Sequence, residues 1–155
     1  MSTQTSSTKF LDTPTRNAVS VTQIDIHAPV ARVFDAFLNE PDKWFYESEE
    51  SRDATPTRCD PRIGGHFYTQ YPKNGFNSLG MITMIKPNKK IRMRGDCTMP
   101  AAVLMNMTIE FHEIDGGTRV VIEHRMSGEI EDSWPGDFEE GWHDGLVKLK
   151  MLTES

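Results

Sequence analysis

Nothing in these 155 residues approaches the roughly 20 consecutive apolar residues of a membrane-spanning helix. The opening segment, MSTQTSSTKFLDTPTRN, also lacks the apolar stretch of a secretory signal. Positive charge is in deficit. Against 23 Asp and Glu stand 17 Lys and Arg, a formal net charge of −6. Nucleic-acid binders need the opposite, a phosphate-neutralising basic patch. Lys86, Lys89, Lys90, Arg92 and Arg94 gather around one hairpin, which reads as a solvated face. Cysteine is scarce: Cys59 and Cys97 stand alone, in neither a CxxC nor a Cys/His ligand spacing, and suit free thiols in a reducing cytosol. His27, His66, His112, His124 and His143 make no HExxH or paired-ligand pattern, so no metal is expected. No nucleophile elbow, phosphate-cradling glycine loop or dinucleotide fingerprint appears, and Gly64-Gly65 merely precedes a strand. No cofactor is therefore expected. There is no internal repeat.

What is present is a pattern of short strands between two helical ends. Residues 1–16 are Ser/Thr-rich and read as a flexible arm, leaving 17–155 as a single domain. Ala18 to His27 alternates as a first strand, with a parity change near Thr22 and Gln23 that a β-bulge would absorb. Pro29 opens a helix whose apolar stripe is Val30, Val33, Phe34, Phe37 and Leu38. A second short helical turn is expected over Asp42 to Tyr46. The polar stretch from Glu47 to Arg62 leaves room for an irregular edge strand near Ala54 to Arg58. Strands then follow at His66 to Tyr71, Ser78 to Lys86 and Ile91 to Gly95. The clearest puts Met105, Met107, Ile109 and Phe111 on one face. Asp115-Gly116-Gly117 turns the chain back into Thr118 to Met126, where Val120, Ile122, His124 and Met126 share a face. Gly128 to Gly136 reads as an acidic loop. From Asp137 onward a long amphipathic helix carries Phe138, Trp142, Leu146, Leu149 and Leu152 on one side. Acid at its start and Lys148 with Lys150 near its end suit the helix dipole. Strand, small helices, antiparallel strands and a final long helix is the order of an α+β helix-grip fold.

Four segments in this order, IDIHAPVARVFDAF, IGGHF, IDGGTRVVIEH and GWHDGLVKLKML, resemble the activator-of-Hsp90-ATPase-like branch of the START and birch-pollen-allergen superfamily. The resemblance spans nearly the whole chain after Val19. It implies a curved antiparallel sheet of about seven strands wrapped around the C-terminal helix, two short helices after the first strand, and a cavity between sheet and helix. The Hsp90-activating members carry a further N-terminal domain. This sequence departs from them there, so the resemblance carries over the fold and not chaperone stimulation.

A hollow of that kind is lined by inward-facing strand residues. Parity nominates Phe67, Tyr71, Met93, Met105, Met107, Ile122, His124 and Met126, with Trp142 and Leu146 from the helix. Methionine, nine in the chain, suits an adaptable wall. His124 is the polar residue of interest, since it shares a face with apolar neighbours and titrates in a useful range. Ser127 is close in sequence, but no acid is placed to orient the histidine. Asp96, at the end of a strand, is a candidate carboxylate, and a surface ion pair with Arg94 two residues back on the same face explains it equally well. No catalytic residue is assigned. The expected function is binding of a small hydrophobic molecule, lipid-like or aromatic, by a cytoplasmic monomer or homodimer that engages neither membrane nor nucleic acid. Two other readings remain open: an aromatase/cyclase-type enzyme using His124 or Tyr71, and a module docking on a chaperone or other protein.

Overall fold

The computed structural model describes residues 4–155. Strand β1 runs Arg16–Ile26, helix α1 Val30–Asn39, a 3-10 turn Pro41–Lys43 and helix α2 Glu49–Ala54. Then come β2 (Thr57–Cys59), β3 (His66–Tyr71), β4 (Gly75–Lys86), β5 (Lys90–Gly95), β6 (Val103–Ile114), β7 (Gly117–Gly128) and helix α3 (Trp134–Glu154). The strands form one antiparallel seven-stranded sheet in the order β1-β7-β6-β5-β4-β3-β2. This is the helix-grip arrangement, with α3 as the gripped element. Residues 4–15 form no helix or strand, and residues 1–3 of the expected arm lie outside the described residues.

Alternation builds the sheet's inner face. Met105 lies across from Met126, Met107 from His124, Ile109 from Ile122 and Phe111 from Val120, and all eight are buried. A one-residue slip would turn every one of them to solvent, so burial holds the register. Gly117 lets β7 begin beside the end of β1, because a Cβ there would fall 2.1 Å from the Ile26 carbonyl oxygen.

α1 buries Val33, Phe34, Ala36, Phe37 and Leu38 against the sheet. Trp44, fully buried, donates its indole N–H to the Ala36 carbonyl (3.1 Å) and sets its ring 4.7 Å from Phe37. A second, smaller cluster joins Met105, Met126, Ile130 and Trp134.

Four local expectations are corrected. No bulge interrupts β1, whose pairing with β7 is continuous from Arg16↔Gly128 to Ile26↔Thr118. The reason is that Ser20 and Thr22 point inward and are buried while Val19 and Val21 are the exposed pair, so the parity never changes. The helical turn expected at Asp42 to Tyr46 sits at Pro41–Lys43, and a true helix follows at Glu49–Ala54. Ser48 caps that helix and exchanges bonds with Ser51, and Glu49 and Glu50 occupy its first turn, all of which favour an N-terminus there. Helix α3 starts at Trp134, with Pro135 in its first turn, so the expected loop is shorter. Its last turn holds no basic residue: Lys148 donates to the Tyr46 carbonyl, and Lys150 to Asp25 O (3.1 Å) and to Glu154.

Ser20 Oγ is buried without a hydrogen-bond partner. An unpaired buried hydroxyl costs about 1–3 kcal/mol. Ser20→Ala should therefore raise Tm by about 3 °C in thermal unfolding; an unchanged or lower Tm would show that the hydroxyl is satisfied in solution.

Candidate functional site

A cavity of about 630 Å³ lies between the inner face of the sheet, α3 and the segment carrying α2. Its apolar wall comes from Phe45, Phe67, Leu79, Met93, Met107, Phe138 and Trp142. Aromatic rings meet edge to face along it, Phe45 with Trp142 at 5.7 Å and with Phe67 at 6.3 Å. Gly145 on α3 admits Trp44 behind this wall: a Cβ there would stand 3.3 Å from the indole. Polar lining is supplied by Thr55, Thr57, Thr69, Asn77 and Thr98, and the exposed Glu47, Asp137 and Asp144 stand where the cavity meets solvent.

Six of the ten residues expected to line a hollow do so: Phe67, Tyr71, Met93, Met107, His124 and Trp142. Four do not. Ile122 and Leu146 belong to the main core, and Met105 and Met126 pack with Trp134 and Ile130. Tyr71 stands at the rim, 41% exposed, its hydroxyl accepting from Asn77 Nδ2 (3.3 Å). Sequence reasoning missed Phe45, Tyr46, Thr69, Leu79, Cys97, Phe138 and Lys148. Thr69 shares a strand face with Phe67 and Tyr71, and Phe138 is on the helix stripe, so those two had a signal. Tyr46 and Lys148 had none.

His124 is 0% exposed and its two ring nitrogens are both engaged. Trp142 Nε1–H donates to Nδ1 (2.9 Å), which assigns the ring proton to Nε2, facing Met105 Sδ at 3.1 Å. Phe138 covers the ring, with centroids 4.5 Å apart. Burial lowers its pKa from 6.5 to about 4, so the ring is neutral at physiological pH. A histidine held this way orients Trp142 and closes the wall. It has no free nitrogen with which to move a substrate proton.

The remaining candidates are equally quiet chemically. Asp96 accepts from the Thr98 backbone N–H (2.9 Å) instead of pairing with Arg94. Cys59 and Cys97 are free thiols, pushed up to about 12 by burial and then by the adjacent Asp60 and Asp96 carboxylates, so neither is a thiolate nucleophile. Cys97 instead points its sulfur at Met107 Sδ, 3.6 Å away. Among the described residues no group of three or more His, Cys, Asp or Glu could hold a metal ion.

The sequence profile described as activator of Hsp90 ATPase homolog 1-like protein matches residues 27–154. The chain belongs to that family. No curated protein sequence matches it. Among solved structures, this activator-of-Hsp90-ATPase-homolog-1-like chain is similar to a protein of Rhizobium leguminosarum at 24% identity, covering 91% of this chain and 97% of that one, with a TM-score of 0.70. The Aha1 dimer from Colwellia psychrerythraea is 15% identical over 88% of this chain and 96% of its own, with a TM-score of 0.64. CalU16 from Micromonospora echinospora is 18% identical over 90% and 86%, with a TM-score of 0.62. At these identities the likeness is one of fold. No helix among the described residues is long and apolar enough to cross a membrane.

Proposed function

We propose that this protein binds a small hydrophobic molecule, lipid-like or aromatic, in its internal cavity and performs no chemistry on it. The observation that carries this reading is the 630 Å³ cavity with its aromatic and methionine wall. That volume falls within the roughly 300–1,000 Å³ typical of small-molecule sites. Ten buried methylene groups would contribute about 8 kcal/mol gross. Association and ordering costs remove several of these, which leaves micromolar affinity. His124 serves in this reading as a wall and a support for Trp142, which leaves the aromatase/cyclase alternative only the Tyr71 hydroxyl at the rim. Two thiols left free fit a reducing, cytoplasmic compartment. The Colwellia relative is described as a dimer, and a homodimer of this chain is open to the same measurement.

Native mass spectrometry of the freshly purified protein, followed by solvent extraction, tests the proposal. The expected result is a reproducible excess mass that disappears in organic solvent. If the mass is clean, titration with the fluorescent hydrocarbon amine 1-aminoanthracene decides the matter. Saturable micromolar binding keeps the proposal, and no binding up to about 100 μM removes it.

A further inference from the structure

The wall of the cavity formed by residues 46–56 differs from the rest in how it is held. Its neck is cinched on both sides: Thr57 Oγ1 donates to the Phe45 carbonyl (2.8 Å), and Gln70 N–H to the Pro56 carbonyl (3.0 Å). Between these points α2 buries no residue. Ala54 is the only apolar side chain from Glu47 to Thr55, and it is exposed. The hydrogen bonds of 47–55 close on the segment itself, through the Ser48–Ser51 exchange, Arg52 to Glu49 and Thr55 to Ser51. Yet Tyr46, Glu47, Ser51 and Thr55 line the cavity.

One tie leads outward. Lys148 of α3 donates its ammonium to the Tyr46 carbonyl and sets Nζ 4.2 Å from the centre of the Tyr46 ring. Arg52 of α2 approaches the same ring at 5.5 Å, so Tyr46 is held by one cation from the helix core and one from the flap. A flap without buried apolar area opens cheaply, because little hydrophobic free energy resists it.

We propose that residues 46–56 are a lid over the cavity and that Lys148 is its latch, a positioning residue that sets how fast a ligand enters and leaves. The inference rests on the binding reading above. Opening the lid requires breaking the charge-assisted bond to the Tyr46 carbonyl and the ammonium–ring contact together. A ligand seated on the Phe67, Met93 and Met107 side of the cavity need not touch either, so the latch governs rates and not affinity.

The experiment compares the wild type with Lys148→Met, which keeps the alkyl stem, Lys148→Arg, which keeps the charge and a donor, and Tyr46→Leu. Amide hydrogen exchange reads the lid without any ligand. Lys148→Met should speed exchange of the Gln70 amide, whose acceptor is the Pro56 carbonyl at the edge of the lid, about tenfold while the β6 and β7 amides keep wild-type protection. Tyr46→Leu, which retains the carbonyl, should do less, and Lys148→Arg should restore protection. Stopped-flow binding of 1-aminoanthracene should show association and dissociation rates both raised about tenfold in Lys148→Met, with Kd within about threefold. Unchanged amide exchange in Lys148→Met overturns the latch whatever the probe does. Kd weakened tenfold at an unchanged association rate also overturns it, since Lys148 would then be a ligand contact. A wild type that fails to bind the probe defeats the binding reading, and the exchange data still decide the lid.

Discussion

Folded protein should lose about 3 kcal/mol of stability between pH 6.5 and about 4 through His124 alone. The sign follows from which state takes up the proton. Burial lowers the folded pKa to about 4 from an ordinary 6.5, so over that interval the unfolded chain binds a proton that the folded one refuses. The share owed to His124 is fully present above pH 6.5, falls as pH drops through the interval, and levels below about 4. There the loss of the paired Asp25, Glu40 and Glu154 carboxylates takes over. No nearby charge offsets the burial: Met107 and Ser20 are its partners across the sheet, and Phe138 and Trp142 face it from α3. Denaturant unfolding at about pH 7, 5.5 and 4.5 measures the slope. His124→Gln keeps an acceptor for the Trp142 indole but cannot titrate, and should flatten it. His124→Leu should also flatten it, and should cost about 2 kcal/mol at neutral pH by leaving that indole N–H buried and unpaired. Adding Trp142→Phe to His124→Leu should recover part of the loss. A slope that survives His124→Gln would show that another group is responsible.

The second large effect concerns the void itself. Thr69→Trp combined with Leu79→Trp places two indoles where half-buried side chains now face the hollow. Affinity for 1-aminoanthracene should fall at least about a hundredfold, equivalent to about 2.7 kcal/mol. Tm should move by no more than about 3 °C, because the added rings occupy empty space instead of displacing packed neighbours. Ile122→Trp is the contrasting control. Ile122 is fully buried in the main core, where overpacking costs roughly 1–3 kcal/mol, so this variant should be destabilised. Undiminished binding in the double variant would place the ligand elsewhere.

The difference between Thr69 and Ile122 also shows what could be read from the chain. Alternation in β6 and β7 reveals which residues face inward, and it did so for every one of Met105, Met107, Ile122, His124 and Met126. It cannot reveal whether the space opposite an inward residue is solid or hollow, because that depends on where another element passes. Trp134 decides the matter for Met105 and Met126. The helix starts there and not at Asp137, and its first residue packs on both methionines. Helix α2 left no periodic trace, since a helix that buries nothing has no apolar stripe to display. For the same reason Tyr46 and Lys148 could not be paired from sequence: they are 102 residues apart, and their contact is polar. The fold was legible because its core is apolar and periodic. The cavity mouth was not, because it is neither.

That same bare helix has a consequence for descent. Substitutions in the wall formed by β3 to β7 and α3 must satisfy a packed interior, so most are purged for instability. Exchanges between Glu47 and Thr55 escape that filter, because no side chain there is buried. Lineages can therefore reshape the mouth of the cavity by letting this one stretch drift, since Glu47, Ser51 and Thr55 line it. A laboratory library confined to those positions would vary the shape and charge of that mouth with few variants lost to misfolding.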